Sequence, residues 1–192
     1  MCIRDRHAHE LVDEIASPDR AVQGRAYEAL LTATASTVPW AYDIWPTIVE
    51  GLGAPDNRLR SICAQILANL AAHSDPENQI LGDLDRLAAV MRDEKFVTAR
   101  HATQTFWKVG LGGAEPCAAT VAALRARFRD CADEKNAALV RTDIMAALAR
   151  LDHARPNAEI QQIARALIDE EPDAATRGKQ NAAWKKGHAQ TT

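Results

Sequence analysis

The chain has 192 residues, 47% of them apolar, 26% charged and only 5% aromatic, with a formal net charge of -3. That is enough chain for one domain with a sizeable core, and a composition rich in Ala and Leu favours helix over sheet. The charge excludes a protein that coats nucleic acid by bulk positive charge, leaving only a local basic strip for such a role.

The first six residues, Met1-Cys2-Ile3-Arg4-Asp5-Arg6, lack the apolar core of a signal peptide. They resemble the translated remnant of a sequencing adapter, which implies that residues 1–6 are not native. No apolar run approaches the roughly 20 residues needed to span a bilayer. Cys2, Cys63, Cys117 and Cys131 form no CxxC pair. A reduced, cytoplasmic setting is the expectation.

Apolar residues at i, i+3, i+4 and i+7 predict helices over 8–16, 19–35, 38–52, 56–72, 76–92, 94–109, 115–131, 134–151 and 157–170. No strand is predicted. Turn-forming clusters separate the helices: Ser17-Pro18-Asp19, Gly53-Ala54-Pro55-Asp56, Ser74-Asp75-Pro76, Gly110-Leu111-Gly112-Gly113 and Arg155-Pro156-Asn157. Several place Asp or Ser as a helix cap with Pro nearby. The result is a repeated helix pair, four pairs and one final helix. Residues 7–170 form the repeat domain, and 171–192 a polar tail.

One phrase recurs at the second helix of each pair. Asp19, Asp56, Asp93 and Asp133 are spaced by 37, 37 and 40 residues, and Arg25, Arg60, Arg100 and Arg141 by 35, 40 and 41. A fixed period of this size marks stacked repeats. With Asp56-Asn57-Arg58-Leu59-Arg60 followed by Cys63, Ile66, Leu67 and Leu70, and Pro46 opening the run Thr47-Ile48-Val49, the chain resembles the HEAT repeat of the armadillo-like class. The resemblance covers residues 8–170 and implies an all-α, right-handed superhelical solenoid. It also implies that Asp56, Arg60, Asp93, Asp133 and Arg141 are structural, the Asp of one repeat meeting the Arg of the next. A guanidinium in a stacked interface needs several acceptors, which such a joint supplies.

Candidate chemistry is sparse. His7, His9 and Glu10 carry ligand-type side chains, but His7 and His9 do not share a helix face, and no metal site is assigned. There is no nucleophile elbow and no phosphate-binding loop. No cofactor and no catalytic residue are assigned.

Arg100, Gln104 and Lys108 fall at i, i+4 and i+8 and form one polar stripe, flanked by His101 and Trp107. Second helices line the concave face of HEAT solenoids, as the resemblance implies, so these five residues are the candidate partner-binding surface. Arg125, Arg127 and Arg129 lie on a first helix and read as a solvated face. The tail from 171 carries Arg177, Lys179, Lys185 and Lys186 around Trp184, which either contacts an acidic partner or folds back as a cap. Residues 187–192 are expected to be disordered. The functional expectation is a non-catalytic scaffold for a protein partner. The alternative is nucleic-acid binding, by analogy of fold with the HEAT-like DNA alkylpurine glycosylases, whose Trp-Asp-Arg pattern cannot be placed here.

Overall fold

The computed structural model describes residues 5–189, with side chains from residue 7 onward. Cys2, most of the opening hexapeptide and residues 190–192 therefore lie outside the described residues. Ten α-helices and one short 3-10 helix are present among the described residues, and no strand. The chain divides into two compact units, Met1–Ala102 and Thr103–Thr192.

In the first unit, α1 (Asp5–Ile15) pairs with α2 (Arg20–Ala33), α3 (Ala41–Gly51) with α4 (Asn57–His73), and α5 (Ile80–Val90) leads into α6 (Phe96–Phe106), which runs across the unit boundary. First helices stack on first helices, α1 on α3 and α3 on α5, while α2 stacks on α4. The second helices open on an aspartate, whereas α3 and α5 start without a side-chain cap. Asp19 accepts from the Ala21 and Val22 amides, Asp56 from Arg58 N, and Asp93 from Lys95 N. These caps satisfy N–H groups that have no partner inside the helix.

Helix α4 is buried from Ser61 to Ala71 except at Gln65. Ile62, Ile66, Leu67 and Leu70 face a core that also contains Leu30, Ile44, Trp45 and Ile48. A helix apolar on nearly every side must be enclosed by its neighbours, and α4 is the centre of this unit. The buried Trp45 ring keeps its polar end satisfied, Nε1 donating to Asp83 at 2.9 Å.

In the second unit, the 3-10 helix Trp107–Leu111 precedes the pairs α7 (Ala114–Asp130) with α8 (Ala137–Ala154) and α9 (Ala158–Asp169) with α10 (Ala174–Ala189). Again like stacks on like, α7 on α9 and α8 on α10. Phe106, Leu124, Phe128, Ile144, Leu148 and Leu167 are fully enclosed.

Helix α10 corrects two expectations. The final helix has a partner, so the described residues form five pairs rather than four and a lone helix. The expected disorder at 187–192 does not hold for Gly187, His188 and Ala189, which complete α10, with Gly187 buried. The sequence signal is weak because α10 buries few large side chains; it sits on α8 through small residues instead.

Candidate binding faces on the second helices

The recurring Asp and Arg positions lie where one helix pair meets the next. Arg60 grips both carboxylate oxygens of Asp93, with Nη2 to Oδ1 at 2.8 Å, and its Nη1 donates to the carbonyls of Ala54 and Pro55 at 2.8 and 3.1 Å. Arg20 reaches Asp56 at 2.7 Å. In the second unit, Arg141 reaches Glu171 at 2.7 Å and the Phe128 carbonyl at 3.1 Å. Each joint therefore runs from the Arg of one repeat to the acid that opens the next, the reverse of the expected direction. The Arg60 hydrogen bonds hold the Asp93 carboxyl below its ordinary value, and the Arg20 hydrogen bond does the same for Asp56.

The four written copies are not equivalent. Arg25 is exposed, and Arg100 lies over the Phe96 ring at 5.9 Å. Asp133 is exposed, and at that turn its neighbour Glu134 takes the carboxylate role, bonded to the buried Arg127 at 2.6 and 2.8 Å. Thus Arg127 is not part of a solvated face. The geometric reason is reach: an Arg one turn beyond the capping Asp can touch both the preceding loop carbonyls and the next carboxylate. Arg60 stands at that position after Asp56, and Arg177 stands at it after Asp173. Arg177 repeats the Arg60 pattern, donating to the carbonyls of Glu171 and Pro172 at 2.6 and 3.3 Å. The basic tail thus contains a further copy of the motif.

The second-helix face of the first unit carries a hydrogen-bonded row. Tyr27 on α2 donates to Gln65 Oε1 on α4 at 2.9 Å, and Gln65 Nε2 donates to the Ser61 carbonyl at 3.1 Å. Ser61 Oγ then meets His101 Nδ1 on α6 at 3.0 Å. Burial pushes the Tyr27 phenol up, so it remains a neutral hydrogen-bonding group. Of the expected contact residues, His101 is in this row and exposed, while Arg100 is half-buried. Tyr27 and Gln65 were missed from the sequence. A signal existed: Tyr27, Gln65 and His101 stand eight, nine and eight residues beyond the caps Asp19, Asp56 and Asp93.

The second unit holds the remaining three expected residues. Gln104 Nε2 donates to Asp143 Oδ1 on α8 at 3.1 Å, and the Gln104 carbonyl lies 3.5 Å from Arg150. Trp107 and Lys108 are half-buried in the 3-10 helix, because α6 ends at Phe106. The tighter 3-10 winding breaks the i+8 register, so Lys108 does not continue a straight stripe from Arg100 and Gln104. Burial, then the charge of Arg150, lowers the Lys108 ammonium from its ordinary value.

No group of three or more His, Cys, Asp or Glu side chains is arranged to hold a metal ion among the described residues. His7 instead contacts Glu10 at 3.3 Å on an exposed helix face. No described helix is long and apolar enough to cross a membrane.

No protein-family model and no curated protein matches the sequence. Solved structures do match. A designed armadillo repeat protein in complex with the peptide (KR)4 superposes with a TM-score of 0.60 at 15% identity, over 95% of this chain and 82% of that one. A computationally designed armadillo repeat protein for modular peptide recognition gives 0.55 at 17% identity, over 94% and 82%. The fold is an armadillo-like helical repeat. At such identities the likeness is one of backbone architecture, and it agrees with the like-on-like helix stacking within each unit.

Proposed function

We propose that the chain is a non-catalytic scaffold whose second-helix faces hold an extended segment of a protein partner. The observation that carries this reading is the row Tyr27–Gln65–Ser61–His101 on the first unit. Packed helices lie about 8–10 Å apart, and an extended chain rises about 3.3 Å per residue. The row therefore offers a polar group for every two or three residues of a bound segment. Hydroxyl, amide and imidazole groups can both donate and accept, as peptide backbone requires. The designed armadillo protein solved with a (KR)4 peptide is a fold-level precedent for such an occupant. In the second unit, Gln104, Trp107 and Lys108 with Asp143 are the proposed contact residues.

The nucleic-acid alternative has less support. Arg60, Arg127 and Arg141 are enclosed and bonded to carboxylates of the chain itself, which removes them from phosphate contact, and the exposed Arg20 and Arg129 are each paired with a carboxylate.

A displayed random-peptide library, selected on the purified protein, supplies the probe. Calorimetry then compares the selected peptide with wild type and with Gln65→Ala/His101→Ala and Gln104→Ala/Lys108→Ala. At least a tenfold loss is expected for the first pair. Unchanged affinity in both, or selection of no peptide while duplex DNA shifts at low salt, would remove the proposal.

A further inference from the structure

The last turn of α10 crosses α8 at very close range. A Cβ on Gly187 would stand 2.5 Å from Ala149 Cβ and 3.1 Å from the Ala146 carbonyl, so only glycine fits without displacing the helix. That approach brings the next residue to a buried carboxylate. His188 Nε2 lies 2.9 Å from Asp152 Oδ2, and Nδ1 lies 2.9 Å from the Trp184 carbonyl.

Both neighbours of the ring are acceptors. A neutral imidazole has one N–H and one lone pair, so it can satisfy only one of these contacts. Two contacts at hydrogen-bond distance require two N–H groups, which only the imidazolium has. Asp152 is held in place from other directions. It is 3% exposed and accepts from the Asn157 amide at 2.9 Å and from Gln161 Nε2 at 3.0 Å.

We propose that His188 is a proton-operated latch that pins the C-terminal helix to Asp152 when protonated and frees its last turns when neutral.

The surrounding charges act in both directions. From α8 come the Asp152 carboxylate and the His153 ring, whose centroid lies 6.3 Å from that of His188. Arg165 of α9 and Lys185 of α10 border the same hollow of about 390 Å³, with Gln161 and Trp184. The Trp184 ring centroid is 4.6 Å from that of His188. The two exposed cations oppose the imidazolium, and the buried carboxylate and the carbonyl favour it. Burial also works against the charge, but the bonds to Asp152 and Trp184 outweigh it, and His188 rests above the ordinary value of 6.5. A raised histidine stabilises fully below the unfolded value and loses that contribution as pH rises through the folded value. Asp152 also loses solvation on burial, yet its hydrogen bonds hold it below 3.8, so it stays ionised across the range in which His188 titrates.

Two measurements on the full chain test this. Nitrogen NMR of the ring should show His188 doubly protonated at pH 6 and titrating above 6.5. Hydrogen exchange, corrected for the intrinsic effect of pH, should show protection of the last turns of α10, residues 182–189, falling at least tenfold between pH 6 and 8.5, with α7 and α9 unchanged. In His188→Gln, that protection should sit at the low level at both pH values while α7 and α9 stay protected. A single N–H tautomer at pH 6, equal α10 protection at both pH values, or a pH response retained in His188→Gln would overturn the latch.

Discussion

Replacing Asp93 by Ala should be among the more damaging single changes in the first unit. The Asp93 side chain is 4% exposed, and its partner Arg60 is 15% exposed. Removing the carboxylate leaves an enclosed guanidinium with only the Ala54 and Pro55 carbonyls. Breaking one side of a buried pair costs about 3–5 kcal/mol. The residual exposure of Arg60 and its two carbonyl contacts move this toward the lower end. Loss of the cap on Lys95 N adds about 1 kcal/mol. The sum is about 4 kcal/mol. Asp93→Asn keeps an acceptor for Lys95 N and should cost about half as much. Arg60→Met removes the buried charge and retains a similar apolar stem, so it should cost less than Asp93→Ala. The double variant Arg60→Met/Asp93→Ala should then fall short of the summed single costs by more than about 1 kcal/mol. The assay is hydrogen exchange of α4 peptides, which reports local opening without assuming that both compact units unfold together. Because Asp93 is lowered by its bonds to Arg60, its contribution is present above about 3.8 and is lost as pH falls through the folded value. The difference between wild type and Asp93→Ala should therefore shrink on acidification. A cost below about 1 kcal/mol, or additive single and double variants, would refute the reasoning.

Other changes follow from the same contacts. Glu171→Ala removes the shared acceptor of Arg141 and Gln180 and should destabilise the second unit by about 2–3 kcal/mol, read as a fall in protection of both α8 and α10. Cys63 is 1% exposed, and burial pushes its thiol up to about 12. Its modification by an aromatic disulfide should proceed no faster than opening of α4, so rapid labelling of the native protein at that residue would contradict the enclosure described. Val97 is 62% exposed at the position where Arg60 stands in the preceding repeat. Val97→Lys should change stability by less than about 0.5 kcal/mol in thermal unfolding.

The repeat was legible because it is local. Caps at Asp19, Asp56 and Asp93 and the breakers before them act within one turn of chain, so their spacing reveals the helix pairs. The polar row was legible only afterwards. Gln65 is one polar residue in a run of apolar ones, and its partners Tyr27 and Ser61 belong to different stretches of α2 and α4. The stripe from Arg100 to Lys108 assumed that α6 continues, whereas it tightens to a 3-10 helix at Trp107. Helical wheels carry no information about where the winding changes.

The sequence by itself determined that this protein is all helical, that its helices come in pairs, and that an acid opens most second helices. Those features follow from side chains acting on their own backbone and from one apolar face per helix. Tertiary structure alone decided which arginine meets which acid, since Arg20, Arg60 and Arg141 reach partners 36, 33 and 30 residues away. It also decided the fate of the polar tail. Nothing near Gly187 and His188 in the chain announces order; the close surface of α8 and the buried carboxylate of Asp152 provide it.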